Sequence, residues 1–135
     1  MTIAWGKSRM PVDRWNHFEC GGHMITVDVP EGENRVELAE KIIADKGQAD
    51  VVLGNNVLAH VPDLNDFFGG AVRLVKPDGV ITFEFPHLCE LVRNNQFDTI
   101  YHEHFSYLSL HTVARVFAAH GLALRDCEEL PTHGG

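Results

Sequence analysis

Apolar positions along this chain recur with two different periods, and the switch between them predicts where helices and strands lie. Between Arg35 and Lys46 the residues Val36, Ala39, Ile42 and Ile43 repeat at helical spacing, and Gly47 follows as a C-terminal cap. The run Ala49-Asp50-Val51-Val52-Leu53 is short, apolar and β-branched, the pattern of a buried parallel strand. Asp63 is placed to cap a helix whose apolar side carries Leu64, Phe67, Phe68, Ala71, Val72, Leu74 and Val75. The Lys76-Pro77-Asp78-Gly79 turn closes that helix, and residues 80–85 read as the next strand. Strand, helix and strand joined by short links predict a right-handed βαβ crossover with parallel strands, and so an α/β layered domain. Farther on, a short helix is expected within 87–94, a second over 109–120 ended by Gly121, and a returning strand over 122–130. Up to Pro30 the period is unclear, and a short strand within 24–29 is the one element suggested there.

Composition narrows the picture without changing it. A chain of 135 residues, 44% hydrophobic and 22% charged, fits one soluble globular domain spanning 1–135. Its net charge of −8 lacks the basic face that displaces counterions from phosphates, so nucleic acid is not an expected partner. No apolar run approaches the roughly 18 residues of a membrane span, and the first residues lack a basic start followed by an apolar core. The expected address is the cytoplasm, with no membrane partner.

Cys20, Cys89 and Cys127 are widely spaced and odd in number, which argues against a disulfide framework. Cys89 and Cys127 fall in or beside apolar segments and read as buried, inert thiols. Nine histidines make acid/base or metal chemistry worth seeking. His102 and His104 alternate as two strand ligands would, but a third ligand is not evident, and the lone Cys20-x-x-His23 spacing is a weak zinc signal. No metal site is expected. Phe67, Phe68, Phe83, Phe85 and Phe117 read as core packing, and His111, His120 and His133 as surface residues.

Parallel sheets bind ligands beyond the carboxyl ends of their strands, which points to the residues after Leu53 and after Glu84. The first place reads Gly54-Asn55-Asn56-Val57-Leu58-Ala59-His60-Val61-Pro62-Asp63, and the second Glu84-Phe85-Pro86-His87. Together with Val75-Lys76-Pro77-Asp78-Gly79, the first resembles the segments around the fourth and fifth strands of class I S-adenosylmethionine-dependent methyltransferases. The stretch Phe97-Asp98-Thr99-Ile100-Tyr101-His102-Glu103-His104-Phe105-Ser106-Tyr107-Leu108-Ser109 is similar to the signature of the deoxysugar C-methyltransferases.

That resemblance implies a Rossmann-like methyltransferase fold, S-adenosylmethionine as cofactor and a nucleotide-linked 4-keto sugar as substrate. It implies His104 as general base, Tyr101 and Glu103 as its neighbours in the sugar site, and His60 as a further polar contact. It also implies Gly54, Asn55 and Asn56 as the cofactor wall supplied after the fourth strand. If residues 101–104 were extended, 102 and 104 would face one side and 101 and 103 the other, so gathering them requires a turn.

The pattern departs from the family at the amino-terminal side. Glu19-Cys20-Gly21-Gly22-His23 is the one candidate for the glycine-rich cofactor turn. The interval from His23 to Asp50 is too short for the two helices and two strands that normally follow, which need roughly 45 residues. A truncated fold is therefore expected: a parallel βαβ core with additional helices and open sheet edges that favour a homo-oligomer. A strand beside Ala49 to Leu53 with Gly21 and Gly22 at its carboxyl end would restore a shortened cofactor site. The competing expectation is a non-catalytic fragment serving as an assembly or interaction module. A third is a half-site that a partner chain completes.

Overall fold

A computed structural model describes residues 2–4, 24–26 and 33–130 of the chain. Four strands form one sheet in the order β2-β1-β3-β4, where β1 is Thr2–Ala4, β2 Met24–Thr26, β3 Ala49–Asn55 and β4 Val75–Glu84. β3 and β4 are parallel and are linked through the helix α2, Leu64–Leu74, as a βαβ unit requires. The other helices are α1 (Arg35–Lys46), α3 (Leu88–Arg93) and α4 (Leu110–Ala119).

Local chemistry explains the helix limits. The Asn34 side chain accepts from the backbone N–H groups of Val36 and Glu37, which α1 itself leaves without partners. Gly47 ends α1 at φ 79°, a left-handed conformation that costs glycine little, while its N–H reaches Ile43 O. Asp63 caps α2 through Asn65 and Asp66, as its position in the sequence predicts. Ser109 caps α4 through Thr112.

Two buried clusters hold the layers together. Ala39, Ala49, Val52, Leu74 and Val75 join α1, the sheet and the end of α2. Leu58, Val61, Phe67, Phe68, Leu108 and Val113 form the second, with Phe83, Phe85 and Phe117 packed against it. Phe68 lies at its centre, 1% exposed, with the rings of Phe83 and Phe117 each 5.2 Å away and steeply inclined to it. Burying such a ring contributes about 1.5–3 kcal/mol, and the edge-to-face geometry adds to it. The phenylalanines therefore pack as expected. Two adjacent glycines in α2 let α1 come close: a Cβ at Gly70 would lie 2.6 Å from the Arg35 carbonyl oxygen.

Four expectations need correction. The Lys76-Pro77-Asp78-Gly79 turn does not separate helix from strand, because β4 already begins at Val75, paired with Ala49. Pairing resumes at Val51 with Val80, so the turn is an irregularity inside the strand. There the Lys76 ammonium meets the Asp50 carboxylate at 2.8 Å, and a Cβ at Gly79 would sit 2.8 Å from Asp50 O.

Residues 122–130 form no strand. Among the described residues none pairs with the outer edge of β4, and a strand exists only where a ladder partner receives its backbone bonds.

Cys89 and Cys127 are exposed. α3 buries only Leu91, and Cys127 lies in the exposed stretch after Leu122. His120 is half-buried, with Nε2 3.2 Å from Asn65 Oδ1 and its ring over Phe68, because α4 ends against the start of α2.

The amino-terminal expectation has a mixed outcome. β1 does lie beside β3, but antiparallel, with Thr2 opposite Leu53 and Ala4 opposite Val51. Its carboxyl end therefore points away from Gly54 and Asn55. Cys20, Gly21, Gly22, His23 and His133 lie outside the described residues.

Candidate functional site at the carboxyl ends of the parallel strands

β3 and β4 end side by side, with Asn55 opposite Glu84. The chain then turns back through Asn56, whose N–H donates to Glu84 O at 2.8 Å. Asn56 takes φ 53°, and asparagine tolerates this left-handed turn better than most side chains. A Cβ at Gly54 would lie 2.5 Å from the Phe83 ring, so the absent side chain there accommodates the core. Of the three residues implied as a cofactor wall, Gly54 is buried, Asn56 is half-buried and Asn55 is exposed at the strand end.

A 3-10 turn, Leu58–His60, carries the chain from this end toward the second group of candidates. Leu58 is fully buried and fixes the turn in the core, while His60 is left exposed. Ala59 O accepts from the N–H groups of Phe105 at 2.7 Å and Ser106 at 3.3 Å. These two bonds dock the loop of residues 100–109 against the 3-10 turn that follows β3.

Within that loop His104 N–H donates to Tyr101 O at 3.2 Å, the turn needed to gather the candidates. It brings three of the four together. The His60 and His104 rings are 4.8 Å apart and nearly perpendicular, and the Tyr101 and His104 rings are 4.9 Å apart. Glu103 is not brought in: it is exposed, and its carboxylate has no hydrogen bond among the described residues. Tyr107, to which sequence reasoning gave no role, stands 6.0 Å from His104. Its place inside the 97–109 motif was the available signal.

Two further contacts fix the surroundings. His104 Nδ1 lies 3.0 Å from the Thr99 carbonyl oxygen. His87 Nε2 accepts from the Leu110 N–H at 3.0 Å, tying the exit of β4 to the start of α4. Behind the histidines lies a small cleft lined by Ala59, Phe85, Pro86, Thr99, His104 and Tyr107. Its volume of about 10 Å³ has room for about one water. Among the described residues no three His, Cys, Asp or Glu side chains are placed to hold a metal ion. No described helix is long and apolar enough to cross a membrane.

Residues 14–126 match the methyltransferase domain family. The chain belongs to that family. A relative, the C-methyltransferase NovU of Streptomyces niveus, is 44% identical over 99 residues, which are 73% of this chain and 24% of NovU. The chain thus spans about a quarter of that relative's length. Membership accounts for the parallel βαβ core.

Proposed function

We propose that this chain forms the acceptor side of an S-adenosylmethionine-dependent C-methyltransferase acting on a nucleotide-linked keto sugar. The observation that carries the reading is the convergence of His60, Tyr101 and His104 beside the carboxyl ends of β3 and β4. The likeness to NovU, which its name describes as a C-methyltransferase, supports carbon as the methylated atom.

A carbon next to a ketone becomes a nucleophile once its proton is removed. The His104 imidazole takes that proton and becomes imidazolium, and the C–H electron pair moves into the enolate. His60 and Tyr101 stand within reach of the enolate oxygen as hydrogen-bond donors. The exposed Glu103 carboxylate only accepts, so the sugar hydroxyls are its natural partners. S-adenosylmethionine, when bound, supplies the methyl group to the carbon. Asn55 and Asn56 offer one polar wall for it, and the described residues do not enclose a nucleoside.

Proton removal can be tested without the cofactor. With a nucleotide-linked 4-keto sugar in deuterium oxide, the chain is expected to speed exchange of the proton beside the ketone. His104→Gln is expected to lower the rate by roughly 10²–10⁴-fold. Exchange no faster than in buffer overturns the acceptor-side reading. Titration calorimetry with S-adenosylmethionine tests the cofactor wall, and the absence of heat at millimolar ligand removes it. The outer edge of β4, unpaired among the described residues, supports self-association through sheet edges, which a monomeric mass by light scattering at micromolar chain would overturn.

A further inference from the structure

We propose that Thr99 is the positioning residue that selects Nε2 of His104 as the basic nitrogen; this deepens, and rests on, the reading of His104 as the base. A neutral imidazole carries its proton on one nitrogen and its available lone pair on the other, so only one of its two tautomers presents a base to a given point. A carbonyl oxygen can only accept. The 3.0 Å contact between Thr99 O and His104 Nδ1 therefore places the ring proton on Nδ1 and leaves the lone pair on Nε2. No described residue hydrogen-bonds to Nε2, so the lone pair remains available to a substrate proton.

The Thr99 carbonyl is itself held in place. Tyr101 N–H donates to the same oxygen at 3.0 Å. The Thr99 hydroxyl donates to Gln96 O at 2.7 Å, and the Thr99 N–H reaches that same oxygen at 3.3 Å, closing the 3-10 turn Phe97–Thr99. The next turn begins at Tyr101, whose carbonyl receives the His104 N–H. The orienting carbonyl and the oriented ring are thus linked through Tyr101, whose N–H donates to Thr99 O and whose own carbonyl receives the His104 N–H. After proton uptake the imidazolium still donates from Nδ1 to Thr99 O, so the charge forms with its partner already aligned. The hydroxyl makes Thr99 more than a spacer, because it braces the peptide whose oxygen does the orienting.

The test is long-range ¹H–¹⁵N correlation NMR of the full chain above the pH at which its histidines titrate, with the His104 signals assigned by their loss in His104→Gln. The expected result is the Nδ1–H pattern for His104, opposite to the tautomer that free histidine favours in water. Thr99→Val, which keeps the shape and removes the hydroxyl, is expected to convert that pattern into a mixture with Nε2–H. Thr99→Ser is expected to restore it, and far-UV circular dichroism of both variants checks that the fold persists. An Nε2–H pattern in the unaltered chain overturns the proposal, as does an unchanged Nδ1–H pattern in Thr99→Val. Because the readout is the tautomer, its failure is distinct from a failure of the exchange assay, which bears on the chemistry at the sugar.

Discussion

The helical layer around α2 and the loop carrying His104 are held by different forces. Around α2 the side chains do the work: Phe68, Leu74 and Ala71 are each no more than 2% exposed, and the phenylalanine rings interlock. In the loop and the 3-10 turn before it the large side chains face solvent, with Phe97 77%, Ile100 69% and Phe105 62% exposed. Its order comes from main-chain bonds, through Ala59 O, Tyr101 O and Thr99 O, with Leu108 as its buried anchor. Core packing and the candidate site are thus separated, and of the candidate side chains His60 and Tyr101 are exposed while His104 is half-buried.

The largest effect expected of this contrast is on the core. Phe68→Ala should lower the free energy of unfolding by about 3–5 kcal/mol in a denaturant titration, the cost of a buried ring and the cavity left behind. A loss below about 1 kcal/mol would mean that the rings are not interlocked. Gly70→Ala comes next. Alanine in a helix interior ordinarily stabilises by about 1 kcal/mol, but here its Cβ would press on the Arg35 carbonyl, and a net loss of about 1–3 kcal/mol is expected. A gain in stability would show that α1 and α2 do not approach so closely. The smallest effect belongs to the loop, where Glu103→Gln should leave stability within about 0.5 kcal/mol by the same titration. A larger change would show that the carboxylate already serves the fold and is not held in reserve for substrate.

Much of the scaffold was legible in the sequence because its signals are local. The limits of α1 follow from helical spacing and Gly47, and the start of α2 from Asp63, since a cap acts on backbone groups two or three residues away. The need for a turn at 101–104 was legible too, from strand geometry once the resemblance had put those residues in one site. What escaped depends on partners distant in sequence. Nothing near Gly70 says that Arg35 lies against it, and nothing near His120 says that Asn65 is its neighbour. Residues 122–130 carry a strand-like pattern, yet apolar alternation states which side chains suit burial and not whether a neighbouring strand is there to pair with.

The candidate site divides along the same line. The motif in residues 97–109 named His104 and Tyr101, and the segment after β3 named His60, but neither gave the distances between them. Docking of the loop on Ala59 O brings His60 and His104 to 4.8 Å and leaves Glu103 outside. Likewise the resemblance implied Gly54 for the cofactor wall but did not say that a Cβ there would meet the Phe83 ring.

The sequence by itself determined the βαβ core, the caps at Gly47 and Asp63 and the identity of the polar residues beyond the strands, because periodicity, capping and residue chemistry act over a few positions. Only the tertiary structure decided that β1 runs against β3, that the phenylalanines meet, and which oxygen faces Nδ1 of His104. Those outcomes depend on contacts between segments that the chain order leaves far apart, where burial and hydrogen-bond geometry are set by the partner rather than by the local pattern.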